Sequence, residues 1–121
     1  MDDLKKLPIV DWKLSIKLAG NKTDLAKDMF DLFIEKLPED LATIKAAYLS
    51  HDHVVLRQSL HRLHGALCYC AAPRLKAIVL KLEITLKNNI TEDLPPLLDQ
   101  FNAEAALLLE HYPSCSTPVE E

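Results

Sequence analysis

The residue types best suited to chemistry in this chain stand together as His61-Arg62-Leu63-His64-Gly65. The leucines around this segment recur every three or four residues, which is the spacing of one helical face: Leu56, Leu60, Leu63 and Leu67. At about 100° per residue, His61 points roughly 130° away from the centre of the leucine stripe. Gly65 follows one turn later on the same outward face. The pattern predicts a helix that exposes an imidazole beside a position without a side chain.

An outward histidine on a helix suits phosphoryl transfer between proteins. Imidazole is neutral and nucleophilic near pH 7, because the ordinary pKa of histidine is about 6.5. A free ring nitrogen can therefore attack an aspartyl phosphate carried by a partner. Glycine inside a helix costs about 1 kcal/mol relative to alanine, which favours an access role for Gly65. The plainer alternative is an incidental surface histidine and a glycine that eases helix packing.

Three further residues are candidate neighbours of a phosphate on His61. Arg57 and His64 lie one turn either side of it, where each can place positive charge beside the phosphate. Their alternatives are a solvated surface arginine and a histidine partly packed on the helix flank. His64 points only about 70° from the leucine stripe, so we expect it to assist rather than accept the phosphate. Cys68 is a further docking candidate.

A metal site is the main rival from another class of function. His61, His64 and Cys68 fall on one side of the helix and are all metal-competent residue types, and two more histidines, His51 and His53, lie nearby. The sequence fixes no fourth ligand, so we expect no native metal site. A passive adaptor bundle, which binds a partner without chemistry, also stays open.

The five-residue segment resembles the active-site segment of histidine phosphotransfer (HPt) domains. His61 matches the phosphorylated histidine, Gly65 matches the glycine four residues on, and His64 stands where many members carry lysine. The resemblance extends over residues 11–26 and 63–76 to the C-terminal HPt domains of GacS/BarA-type hybrid sensor kinases. One departure is Ala71-Ala72, where members often have glycine.

The resemblance implies a phosphorelay intermediate. Such a domain accepts a phosphoryl group on its histidine from a receiver-domain aspartate and passes it to a response regulator. The sequence has no phosphate-cradling glycine loop, so we expect no cofactor in this domain and magnesium on the partner receiver. By resemblance, the chain is a carrier that forms part of a hybrid sensor histidine kinase, at the cytoplasmic C-terminal end of an inner-membrane protein.

Composition favours a single helical domain. The chain has 121 residues, 49% of them hydrophobic, and only two glycines. Its net charge of −4 argues against nucleic-acid binding, which needs a basic face. No apolar run approaches the roughly 20 residues that cross a bilayer, and the polar N-terminus does not look like a signal peptide. Three cysteines, an odd number, suit a reducing compartment. We therefore expect a cytoplasmic monomer without membrane contact.

Capping residues and prolines divide the chain into six predicted helices. Asp11, Thr23, Pro38, Asp52, Pro73 and Asp93 mark the predicted starts. Gly20 ends the first helix, the helix with His61 runs to about Cys70, and Asn88-Asn89 ends the fifth. The predicted fold is an all-α antiparallel four-helix bundle with one or two short N-terminal helices. We expect the domain to span residues 1–112 and a disordered tail to span residues 113–121.

Overall fold

Five α-helices form the protein in the computed structural model, which describes residues 6–115 and side chains as far as Tyr112. In chain order they are α1 (Trp12–Leu18), α2 (Thr23–Leu49), α3 (His53–Leu67), α4 (Pro73–Lys87) and α5 (Leu94–Cys115), with a 3₁₀ turn over Thr91–Asp93. Residues 6–115 contain no strand. The four long helices follow one another through short connections, and α2 also packs against α5. The predicted four-helix bundle is confirmed, and within residues 6–115 the one short N-terminal helix is α1.

Most of the predicted helix ends are confirmed. The Asp11 carboxylate accepts a hydrogen bond from the Leu14 amide at 3.1 Å, and Asp52 accepts one from Val55 at the same distance. These bonds satisfy amide groups that the first turn of a helix leaves without backbone partners. Gly20 follows α1 with a φ of +70°, a left-handed conformation that glycine adopts without strain. Asp52 therefore fixes the start of the helix that carries His61.

The predicted helix boundary at Pro38 is wrong. α2 runs without interruption through Pro38, although proline removes the hydrogen bond to the Ile34 carbonyl at a cost of about 3 kcal/mol. The proline ring is exposed, and one face stays buried on both sides of it, with Leu37 before and Ile44 after. Packing of this continuous face offsets the local cost. The second and third predicted helices are therefore one helix.

Three smaller predictions at helix ends and on α2 also need correction. Thr23 does not cap α2: Lys22 precedes the helix, and no side chain caps it. Apolar spacing along the chain predicts that Leu25 lies on the inner face of α2, but its side chain is exposed. The regular part of α3 ends at Leu67, three residues before the predicted end near Cys70, although the Cys70 amide still donates a helix-type hydrogen bond to the Ala66 carbonyl.

The connection between α3 and α4 is held by α1. The Asp11 amide donates to the Ala71 carbonyl at 2.9 Å, and the Ala71 amide donates to the Ser15 hydroxyl oxygen at 2.9 Å. Trp12 packs against the Phe30 ring of α2, with 5.2 Å between ring centroids. α1 therefore ties the C-terminal end of α3 to the bundle.

The end of α5 is fastened to α2 through Tyr112. Its ring stacks on Phe30 at 5.2 Å and 8°, and its hydroxyl donates a hydrogen bond to Asp31. Lys27 donates to the other oxygen of Asp31 at 2.8 Å. The hydrogen bond from Lys27, followed by that from Tyr112, holds the pKa of Asp31 below its ordinary value. This cluster stabilises the side of the bundle that α1 covers.

The core is built from the predicted apolar stripes. All four leucines of the α3 stripe are buried. Helical spacing predicts similar apolar stripes on the next two helices, and every residue of these is buried: Leu75, Ile78, Val79, Leu82 and Leu86 on α4, and Leu97, Leu98, Phe101, Ala105, Leu108 and Tyr112 on α5. The large side chains with under 2% exposure include Phe30, Leu37, Ile44, Leu56, Leu60, Leu67, Leu75, Ile78, Leu82, Leu94, Phe101 and Leu108. Because these side chains lock α3 against α2 and α4, the outward face of α3 is held rigidly.

Two predictions concern the membrane and the C-terminal tail. Among the described residues, no helix has the length and apolar character needed to cross a membrane. α5 stays helical to Cys115, three residues past the predicted domain end at Tyr112. Residues 116–121 of the predicted tail lie outside the described residues, so the tail itself stays a prediction.

Candidate functional site

The outward face of α3 presents His61 to solvent. Its side chain is 78% exposed, while Leu60 and Leu63 on the same helix are buried in the core. The predicted direction of His61 therefore agrees with the structure. A ring in this position is open to a second protein, and the rigid stripe beneath it fixes where the ring stands.

A carboxylate from the neighbouring helix engages the His61 ring. Nδ1 of His61 lies 3.1 Å from Oε2 of Glu83, which α4 contributes. A carboxylate accepts hydrogen bonds, so this contact favours the tautomer with the proton on Nδ1. Nε2 then carries the free lone pair. The pair assigns one ring nitrogen to positioning and leaves the other for reaction.

His64 faces the same carboxylate from one turn further along α3. Its Nδ1 lies 2.9 Å from Oε1 of Glu83, and its side chain is 27% exposed. The contact lacks hydrogen-bond geometry, so this buried oxygen has no hydrogen-bond partner within the described part of the chain. The rings of His61 and His64 stand nearly perpendicular, at 82°, with centroids 6.2 Å apart. Two imidazoles thus converge on one carboxylate.

A shallow groove between α3 and α4 surrounds these groups. Besides His61, His64 and Glu83, the groove is lined by Arg57, Gln58, Leu80, Ile84 and Lys87. Its apolar residues come from α4, and its two permanent cations come from both helices. The groove therefore combines apolar contact area with positive charge, which suits docking of an anionic group.

Gly65 is exposed on the same side of α3. A Cβ atom built there would meet no atom within 4 Å beyond its chain neighbours and the backbone of its own helix. Packing among the described residues therefore does not require glycine at this position, and the helix-packing alternative loses its support. The missing side chain leaves open space near His61.

The other candidate residues lie elsewhere on the surface. Cys68 is exposed and lines a different groove, between α1 and the start of α4. His53 stands at the first turn of α3 in a separate small depression. Among the described residues, the group of histidine and acidic atoms close enough to share a metal ion is His61, His64 and Glu83. The rival metal set with Cys68 is therefore not assembled.

Glu83 and Lys87 were missed by sequence reasoning. They lie four residues apart on α4 and each directly follows a core leucine, Leu82 or Leu86. This spacing places them on one face beside the apolar stripe. The signal was an acidic and a basic residue on one helical edge, but no sequence feature indicates that this edge faces His61.

Comparison with known proteins identifies the family. The family model of the Hpt domain matches residues 28–111. The sensor histidine kinase GacS of Pseudomonas protegens is 39% identical over 82 residues, which cover 68% of this chain and 9% of that protein. The histidine-protein kinase BarA of Escherichia coli is 33% identical over 98 residues, covering 77% of this chain and 11% of that protein. The chain thus spans about a tenth of the length of these relatives.

Two solved structures share the fold. The HPT domain of a Shewanella sensor hybrid histidine kinase superimposes with a TM-score of 0.72 at 29% identity, covering 88% of this chain and 95% of that one. Histidine-containing phosphotransfer protein B of Pseudomonas aeruginosa gives a TM-score of 0.79 at 21% identity, covering 93% and 98%. The match of the family model over residues 28–111 shows that this chain belongs to the Hpt domain family, with similarity to the phosphotransfer modules of hybrid sensor kinases.

Proposed function

We propose that this chain is a phosphorelay intermediate that takes a phosphoryl group onto His61 from a receiver-domain aspartate and passes it to a response regulator. The single observation that carries the proposal is the His61–Glu83 pair: an imidazole that is 78% exposed, with Nδ1 engaged at 3.1 Å and Nε2 left free. Membership of the Hpt family supports it.

The geometry of the His61–Glu83 pair indicates how the phosphoryl group is transferred. The Nε2 lone pair attacks the phosphorus of the aspartyl phosphate, the N–P bond forms, and the P–O bond to the aspartate breaks. The aspartate leaves as a carboxylate, and the positive charge left on the ring is stabilised through Nδ1–H by Glu83. Return of the phosphoryl group to a second aspartate reverses these steps.

Positive charge around the groove supports the same step. The transition state spreads negative charge over three phosphoryl oxygens, so catalysis depends largely on positioning and electrostatics. Arg57 of α3 and Lys87 of α4 both line the groove, and His64 adds an imidazole that gains positive charge when protonated. We expect the receiver to supply the magnesium ion.

The partner that fits the groove is a receiver domain. Leu80 and Ile84 offer apolar contact beside the reacting ring, and open space at Gly65 lets another backbone approach. Because the chain spans about a tenth of GacS and BarA, we propose that it serves as the cytoplasmic phosphotransfer module of such a sensor kinase.

The test is incubation of the purified chain with a receiver domain phosphorylated by acetyl phosphate. If the phosphoryl group is labelled, we expect the label to move to the unmodified chain. We expect the His61→Gln variant to take up none. The matched control is His53→Gln, which removes another exposed histidine of α3 and should accept phosphate normally. Binding of the receiver that does not depend on His61, with no label transferred, would favour the passive adaptor instead.

A further inference from the structure

The sequence led us to expect no native metal site, but from the assembled side chains we propose that His61, His64 and Glu83 form a weak, reversible binding site for Zn²⁺ at the phosphoryl-acceptor position. One ligand-competent atom from each residue lies within 4.8 Å of the other two. The carboxylate oxygens already stand 3.1 and 2.9 Å from the two Nδ1 atoms. Zinc binds imidazole nitrogen at about 2.0–2.1 Å and carboxylate oxygen at about 2.0–2.2 Å, so an ion between these atoms needs only small side-chain movements.

The donor set selects the class of ion. Two imidazole nitrogens and one carboxylate suit zinc and similar transition metals, whereas magnesium and calcium prefer oxygen donors. Two histidines and a glutamate are also a known three-ligand set of zinc sites that keep a water in the fourth position. The exposure of the His61 ring leaves that fourth position open to solvent.

The buried Oε1 of Glu83 lies within ion-pair distance of His64 but accepts no hydrogen bond from the described residues, which leaves it available to an additional ligand. Oε1 is buried and lies 2.9 Å from His64 Nδ1 without hydrogen-bond geometry, so it has no such partner among the described residues. A buried carboxylate oxygen without a donor is costly. A cation between Glu83 and the two rings would satisfy it.

The charges around the site determine how tightly zinc should bind. Arg57 and Lys87 line the same groove and repel a divalent cation. With three protein ligands and two nearby cations, we expect binding in the micromolar range rather than the much tighter binding of four-ligand structural sites. The bundle core is complete without metal, so chelation should leave the helical content unchanged.

Zinc bound here would compete with phosphorylation. It would withdraw electron density from the His61 ring and occupy the carboxylate that stabilises the phosphorylated ring. This consequence rests on the proposed function, whereas zinc binding itself does not, so the two are tested separately.

The binding test is calorimetric titration of the chelator-treated protein with zinc chloride, without any receiver. We expect one zinc per chain at a site where Glu83→Gln, His64→Ala and His61→Gln each weaken binding by at least about tenfold, the loss that even outer-shell changes cause. His53→Gln and Cys68→Ser are the matched controls and should bind as the unmodified chain does. NMR should show zinc-dependent shifts in the His61 and His64 rings.

Two results would overturn the site. One is binding that appears only at millimolar zinc. The other is micromolar binding that survives the loss of Glu83 and His64 or that disappears in Cys68→Ser. If zinc binds as expected but a phosphorylated receiver transfers no label to the metal-free chain, the site stands and the proposed function fails.

Discussion

Replacement of Glu83 by glutamine tests how the His61 ring is activated. Glutamine keeps an oxygen that can accept the Nδ1 proton, but it removes the negative charge that stabilises the ring once the phosphoryl group is attached. Hydrogen bonds to charged groups contribute about 1.5–3 kcal/mol. His61 is 78% exposed, so solvent screening reduces the effect to about 1 kcal/mol. At about 1.4 kcal/mol per tenfold, Glu83→Gln should slow phosphoryl uptake about fivefold.

The assay is single-turnover transfer from a phosphorylated receiver to an excess of the chain, quenched at intervals and followed by loss of the labelled phosphoryl group from the receiver. Circular dichroism should show an unchanged fold. The matched control is Glu35→Gln, which removes an exposed carboxylate on α2 and should transfer at the unmodified rate. A Glu83→Gln rate equal to or above that of the unmodified chain would refute the reasoning, because repulsion of the phosphate by Glu83 would then outweigh stabilisation of the ring.

Three further predictions address access, assistance and stability. Gly65→Gln should stabilise α3 by up to about 1 kcal/mol. It should nevertheless slow phosphoryl transfer strongly, because the glutamine side chain would fill the open space near His61. Transfer at the unmodified rate would contradict the access role of Gly65. The His64→Ala variant should still be phosphorylated, but more slowly. The His64→Lys variant should still accept the phosphoryl group from the receiver. If His64→Ala takes up no phosphoryl group, His64 does more than assist the transfer to His61. Tyr112→Phe should lose about 1 kcal/mol of unfolding free energy at pH 7. Because the pKa of Asp31 lies below its ordinary 3.8, that loss should be fully present above pH 3.8 and should shrink as pH falls through the lowered pKa. Urea unfolding at pH 7 and at a series of lower pH values checks this, and a loss that stays constant while Asp31 is protonated would contradict it.

The sequence predicted the helices wherever local signals agree with packing. Asp11 and Asp52 cap the helices that they were expected to cap, and the leucine stripe of α3 is buried as its spacing requires. Pro38 shows the limit of a local rule. Its cost to a helix is real, but a buried face that continues in register on both sides offsets that cost, and this packing cannot be read from the proline alone.

Only the part of the site that lies on α3 could be predicted from the sequence. The outward direction of His61 follows from helical geometry within α3. The contact with Glu83 depends instead on how α4 is rotated and shifted against α3, which long-range packing decides. The apolar stripe in the sequence of α4 predicts which face of the helix is buried. It does not predict which polar edge of α4 lies beside His61. Cys68 illustrates the converse, since it is near His64 in sequence but lies one turn further along, where α1 and the start of α4 form another groove.

The most direct test of the account is to locate the phosphate on the phosphorylated chain. Mass spectrometry assigns the residue, and long-range ¹H–¹⁵N correlation spectra distinguish the two ring nitrogens. We predict phosphate on His61 and on its Nε2, because Nδ1 is engaged by Glu83 at 3.1 Å. Phosphate on His64, or on Nδ1 of His61, would contradict the account.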